Sequence, residues 1–189
     1  TPRMSLTTES DICHLIEQDP WRMEMLRFAR AMNLPDWCIG AGFVRAAVWD
    51  ALTNNATPFR LPDLDLIYFN PSNIDPTHDS QLQGQLIARS SCDLWDVKNQ
   101  ARMHLRNDDP PYKDTSEAVS NWLETPTCVA IRLEHDDTLT LISPHGIVDL
   151  LGLHSRPTAA ALRKPDQYRS RMKAKNWAAI WPGLVVEDC

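Results

Sequence analysis

The sequence predicts an α+β fold of mixed α/β character, in one domain. Three observations carry that expectation. Short β-prone apolar runs alternate with stretches of helical period. A strand, a glycine turn and a helix follow one another directly between residues 37 and 52, and two later β-prone runs sit at hairpin spacing. At 189 residues the chain is long enough for one well-buried core and too short for two full-sized domains, so 1–189 reads as a single unit. Its 43% hydrophobic and 23% charged residues are those of a folding chain rather than a disordered one.

The first clear element begins where Asp19 can cap a helix that opens on Pro20. Trp21, Met25, Phe28 and Met32 then recur at helical spacing as a core stripe. Leu34-Pro35-Asp36 ends that helix, and Trp37-Cys38-Ile39 reads as a short buried strand running into Gly40-Ala41-Gly42. Residues 43–52 form the next helix, with Val44, Val48 and Ala51 on one stripe. A polar loop with Pro58 and Pro62 leads to a strand over residues 63–69, which is apolar and β-prone enough to lie inside a sheet. A helix over 79–88, a strand over 94–98 and a helix over 115–122 give a βαβαβ-like order. Residues 128–133 and 138–142 form a hairpin through His135-Asp136-Asp137, and helices over 146–153 and 165–177 close the chain. Residues 107–113, with Asp108-Asp109-Pro110-Pro111, read as an exposed semi-rigid loop, and no repeat suggests an array.

Several function classes recede on composition. No apolar run reaches the ~20 residues that span a bilayer, and residues 1–9 lack the segments of a secretory leader, so the expected location is cytoplasmic, with no membrane partner. Five scattered cysteines without a C-x-x-C pair read as reduced thiols, and Cys13 beside His14 has no second ligand pair for zinc. A net charge of −6 argues against a broad grip on duplex nucleic acid. Two basic clusters stand out. Lys98, Arg102, His104 and Arg106 form one. The other, Arg163, Lys164, Arg169, Arg171, Lys173 and Lys175, reads as a solvated helix face.

The chemistry centres on Asp63-Leu64-Asp65. Residues two apart on a strand share a face, so the two carboxylates stand side by side while Leu64 and Leu66 turn into the core. Two carboxylates that close repel each other unless a divalent cation neutralises them, and Mg²⁺ or Mn²⁺ takes carboxylate together with phosphate oxygens. Gly40-Ala41-Gly42, between a strand and a helix, offers backbone N–H groups to a phosphate at the positive end of that helix. The bland alternative is a tight turn without ligand. Neither the G-x-G-x-x-G pattern nor a Walker lysine is present. Arg45 can reach a phosphate or pair with Asp50. Lys98 and Arg102 can hold phosphate or lie at element edges in water, and His104 and His145 read as hydrogen-bonded structural residues. Ser143, His145 and Asp149 are too crowded on one turn to converge as a hydrolase triad.

Gly40-Ala41-Gly42-Phe43-Val44-Arg45 followed by Asp63-Leu64-Asp65 resembles the signature of the DNA polymerase beta-like nucleotidyltransferase superfamily, including the G-G-x-V-R lead-in of CCA-adding enzymes. The blocks at residues 95–104, 125–133 and 144–150 are similar to those of a bacterial nucleotidyltransferase-like family of unassigned substrate. The resemblance runs from about Trp37 to Trp181, with a motif core at about 37–105 and a family-like C-terminal half at about 115–182.

The resemblance implies a mixed β-sheet with flanking helices. In it the glycine turn of Gly40, Ala41 and Gly42 holds a nucleoside triphosphate, and Asp63 and Asp65 bind the metal ions; Arg45 and Lys98 are the further phosphate-binding candidates from the reading above. It also implies a third carboxylate on a later strand that joins Asp63 and Asp65 in binding metal and deprotonates the acceptor hydroxyl; Asp96 fits that place and Asp93 competes for it. The expected activity is metal-dependent transfer of a nucleoside monophosphate to an acceptor hydroxyl with release of pyrophosphate. The acidic composition leans towards a small-molecule or protein acceptor. The alternatives are a catalytically degenerate nucleotide sensor and metal-assisted phosphate hydrolysis. Two departures from the pattern are the 20 residues between Gly42 and Asp63, and Ala41 where Gly or Ser is common.

Overall fold

The computed structural model describes residues 6–189. The stretch read above for leader features therefore lies outside the described residues up to residue 5. Strands β1 (Cys38–Gly40), β2 (Leu64–Tyr68), β3 (Trp95–Asn99), β4 (Ala130–Leu133) and β5 (Leu139–Ile142) form one sheet in the spatial order β3-β2-β1-β4-β5. Only β2 and β3 are parallel; the other three pairings are antiparallel. The fold is the expected α+β with a mixed sheet.

The antiparallel β1–β2 pairing is where the βαβαβ reading departs from the molecule, and the reason is the length of the loop before β2. Helix α3 (Gly42–Thr53) carries the chain about 18 Å away from the glycine turn. In a parallel unit the helix itself returns the chain. Here residues 54–63, which can span up to about 33 Å when extended, make the return, and β2 starts at the end of the sheet where β1 stopped. The long spacing between Gly42 and Asp63 is therefore what brings the two motifs together.

The helices follow their caps. Asp19 accepts from Arg22 N ahead of α2 (Pro20–Ala31), and Asp75 accepts from Thr77 N ahead of α4 (Pro76–Ser90), which starts three residues before the expected position. Helix α1 (Glu9–Glu17), unforeseen from the sequence, is held by a capping box in which Thr8 and Asp11 bond each other's backbone N–H. The buried face of α2 is Arg22, Met25, Leu26 and Ala29, whereas Trp21 is 36% exposed and Phe28 and Met32 lie at the flank, so the expected core stripe is rotated. On α3, Val44 and Val48 are buried and Ala51 is exposed.

The sheet has two unlike faces. Ile39, Leu64, Leu66, Trp95, Val97 and Ile131 face the main core, formed with the first four helices. The opposite face carries a small cluster of Cys38, Ile67, Val119, Cys128 and Ala130, under the short helix α6 (Thr115–Ser120) and Trp122. Between β3 and α6 lies α5 (Met103–Asn107). Beyond the sheet the expected helix over 146–153 shrinks to α7 (Val148–Leu151), because Gly152 ends it. A two-stranded parallel pair, β6 (His154–Ser155) and β7 (Val185–Val186), frames α8 (Ala159–Leu162), α9 (Pro165–Lys175) and α10 (Trp177–Ile180). Asn176, in the left-handed conformation, ends α9 one residue short of the expected end at Trp177, where the unforeseen α10 begins.

This C-terminal layer docks on α3 through aromatic contacts. Trp49, fully buried, meets Trp177 and Trp181 edge-on at 5.4 and 5.0 Å and donates its indole N–H to Leu150 O at 3.0 Å. Trp181 in turn donates to Asp50 Oδ1 at 2.7 Å. Among the described residues no helix is long and apolar enough to cross a membrane, and all five cysteines are free thiols.

Asp50 also accepts from Phe59 N and Asn55 Nδ2, so its removal strands the buried Trp181 donor. We expect Asp50→Ala to lower unfolding stability by about 1–3 kcal/mol, measured by urea titration. An unchanged midpoint would show that this carboxylate does not hold the C-terminal layer.

Candidate functional site

One row across the sheet assembles the site. The β1–β2 register pairs Cys38 with Ile67 and Ile39 with Leu66, and one step further puts Gly40 opposite Asp65. In the next ladder Asp65 is opposite Asp96. Cross-strand partners share a face, so Asp65 and Asp96 project together from the side away from the main core, next to the end of the glycine turn. Asp63 lies just ahead of β2 and is exposed. Leu64 and Leu66 are fully buried on the other face, as the alternation requires.

The electrostatics record this crowding. Burial, followed by the charges of Asp63 and Asp96, pushes the Asp65 carboxyl from 3.8 to about 6, while Arg45 and Arg171 pull it down. Asp96 is taken by an ion pair with Lys98, two residues along the same strand. Among the described residues, no group of three His, Cys, Asp or Glu side chains is placed to hold a metal ion by itself. The row does offer two neighbouring carboxylates whose repulsion a divalent cation would relieve, with phosphate oxygens left to complete its shell.

The glycine turn serves two needs. A Cβ on Gly40 would collide with Trp122 Cη2, so this glycine is fixed by a packed indole. Ala41, at φ 52° and ψ −117°, holds a conformation that favours glycine, and its N–H is already bonded to Val129 O at 2.8 Å. The donors left for an anion are the first-turn N–H groups of Gly42 and Phe43, which have no partner four residues back within α3.

Arg45 is buried rather than at the surface. Its Nη1 donates to Thr127 Oγ1 at 2.6 Å, and its guanidinium lies 4.2 Å from the Trp177 ring and 5.4 Å from Trp49. Asp50 has other partners, so the Arg45–Asp50 pair does not form. Burial pulls the Arg45 guanidinium down to about 10, with Glu124 opposing.

A cleft of about 280 Å³ opens on the row. Ala41, Asp65, Asp96 and Lys98 line it together with Trp122, and Gln167 and Arg171 come from α9. The α9 residues were invisible as site components in a run of like charges. Their one available signal was the spacing of Lys164, Gln167 and Arg171, which places them along one side of a helix. Arg102 does not line the cleft. It is spent on Asp79, which is 3% exposed and also binds the Tyr68 hydroxyl and Asn99 N. His145 binds Ser120 O at 2.8 Å, a structural contact.

Asp65 also makes stability depend on pH. In the folded chain it keeps its proton up to about pH 6, whereas the unfolded chain releases it near 3.8. The folded state therefore binds the extra proton between those values. This contribution makes stability fall as pH rises from about 4 to about 6, and the penalty is complete above that. We expect Asp65→Asn to flatten this arm of the Tm profile in metal-free buffer, followed by calorimetry from about pH 4 to 7. A variant with the parent's slope would refute the crowding of charge at Asp65.

A family model described as nucleotidyltransferase matches residues 27–186. No curated protein matches the chain. Among solved structures, the chain is similar to a protein whose NMR structure is described as revealing a CCA-adding enzyme head domain. The two are 26% identical at a TM-score of 0.87, covering 99% of this chain and 100% of that one. It shares its fold with the Thermotoga maritima CCA-adding enzyme complexed with tRNA (16% identity, TM-score 0.56, 94% of this chain and 42% of that one). A CCA-adding enzyme in complex with CTP shows the same likeness (16%, 0.51, 93% and 42%). The chain thus spans less than half the length of those two enzymes. The five-stranded mixed sheet is that of a nucleotidyltransferase head domain, and with the family model matched over most of its length the chain belongs to the nucleotidyltransferase family.

Proposed function

We propose that this nucleotidyltransferase moves a nucleoside monophosphate from a nucleoside triphosphate to an acceptor hydroxyl. The observation that carries the reading is the row Gly40–Asp65–Asp96, which sets a phosphate-binding helix end beside paired carboxylates at one cleft. In the reaction the acceptor oxygen bonds to the α-phosphorus, the bond from that phosphorus to the β-phosphate bridge oxygen breaks, and pyrophosphate leaves. Divalent cations, Mg²⁺ or Mn²⁺, held by Asp63 and Asp65 would neutralise charge on the phosphate oxygens. The Gly42 and Phe43 N–H groups orient the triphosphate, with Gly40 and Ala41 shaping the turn that presents them. Asp96 takes the acceptor's proton, and Lys98, its partner, swings to the phosphates when the substrate arrives. Buried Arg45 acts through its field, adding positive charge behind the turn. The net charge of −6 favours a small-molecule or protein acceptor over a long polynucleotide.

The Lys98–Asp96 pair also favours a second reading, a nucleotide sensor that binds without transfer, because an ion-paired Asp96 is a weaker base. Turnover separates the two. In calorimetry with ATP, GTP, CTP and UTP, we expect at least one to bind more tightly with Mg²⁺, and we expect Asp63→Asn, Asp65→Asn to lose that gain. Binding by the double variant equal to the parent's would place the nucleotide elsewhere.

For Asp96→Asn we expect retained binding and a pyrophosphate-release rate reduced by about 10²–10⁴, the usual worth of a general base. Metal-enhanced binding by the parent with no release over a panel of hydroxyl acceptors would establish the sensor.

A further inference from the structure

The carboxylate row repels a polyphosphate, and cationic side chains lining the same cleft can offset that repulsion. Four cationic side chains line the cleft: Lys98, Arg106, Lys164 and Arg171. Lys98 is paired with Asp96, and Lys164 Nζ is bound to Asp109 Oδ1 and Asn107 O. Arg106 is exposed, with no hydrogen bond or ion pair to order it among the described residues. Arg171 differs from all three. Its Nε donates to Glu124, while Nη1 and Nη2 have no partner among the described residues and are not buried.

Glu124 is an unusual holder. It is 0% exposed; one carboxylate oxygen accepts from Arg171 and the other, Oε2, has no partner within the described residues. A buried carboxylate with half its hydrogen-bonding capacity unused is costly unless it fixes something. Here it fixes the guanidinium by the one nitrogen that a forked phosphate contact does not need. The two terminal nitrogens remain as a pair of parallel donors.

We infer that Arg171 is the polyphosphate-gripping residue of this site, forking onto the β- and γ-phosphates of the nucleotide, and that Glu124 is its positioning residue. This rests on the triphosphate reading given above and adds a selectivity to it. Arg171 distinguishes a nucleoside triphosphate from the corresponding monophosphate. α9, which carries Arg171, runs through Asn176 into Trp177, and Trp177 and Trp181 dock on Trp49 of α3, so the C-terminal layer completes the site that the sheet begins.

The test compares ATP and AMP, each with Mg²⁺, on the full chain by calorimetry, using whichever base the parent binds best in place of adenine. We expect Arg171→Gln to weaken triphosphate binding by about ten- to a hundredfold while monophosphate binding moves less than about twofold. Arg171→Lys should recover only part of the loss, because it keeps the charge and not the fork. Glu124→Gln, which keeps an acceptor for Nε, should lie between Arg171→Gln and the parent. If Arg171→Gln melts well below the parent, the ratio of triphosphate to monophosphate affinity in Arg171→Lys decides. An unchanged ratio in a folded Arg171 variant overturns the inference and leaves the proposed function standing. A parent that binds neither nucleotide, with or without Mg²⁺, overturns both.

Discussion

Trp49 is fully buried on α3, and both halves of the chain are fastened to it. Its indole N–H reaches Leu150 O, its ring edges meet Trp177 and Trp181, and the Arg45 guanidinium lies near its face. Aromatic pairs of this kind add about 0.5–1.5 kcal/mol each beyond the area they bury. Their consequence is positional. They hold α9 and α10 where residues from the C-terminal layer can form the second wall of a cleft whose first wall is the sheet. The central helix is thus sandwiched, which explains why Phe43 to Trp49 is buried almost all round rather than along one stripe.

Between the two walls the charges are unevenly shared, Lys98 being the one cation on the sheet side among the described lining residues. The sheet side carries Asp65 and Asp96 in register, and the helix side carries Lys164 and Arg171, each tethered to a carboxylate that is itself withdrawn from solvent, Asp109 and Glu124. Neither arrangement is the most stable use of those positions. Crowded carboxylates and a buried, half-satisfied Glu124 oppose folding, and side chains kept at such cost are the mark of a working surface.

Much of the site was legible because it rests on period-two alternation. Asp63-Leu64-Asp65-Leu66 assigns its carboxylates and leucines to opposite faces in any strand, and Gly40-Ala41-Gly42 marks a turn by its lack of bulk. Strand direction was not legible, because propensity says nothing of whether a following strand runs parallel. The clue lay in the length of the segment 54–63. Helix α1 was missed because its capping box uses Asp11 where Glu or Gln is usual. Contacts between distant residues were also out of reach. Trp122 against Gly40 and Arg171 against Glu124 each join positions 82 and 47 apart, and a run of basic residues offers no sign of which one turns inward. Arg45 was half legible, since the helix placed it near the turn but the two tryptophans that bury it arrive later in the chain.

The sheet's central strand has a further consequence for how the molecule is made. β1 is flanked on one side by β2, and on the other by β4, whose residues come some 90 positions later. During synthesis the portion carrying the carboxylates is complete while one edge of β1 is still bare, and an unpaired edge in mid-sheet is a template for foreign strands. The hairpin of β4 and β5 is therefore a seal as well as a scaffold. A piece ending after β3 would contain every acidic residue assigned to the proposed chemistry and would leave β1 without its partner on one side.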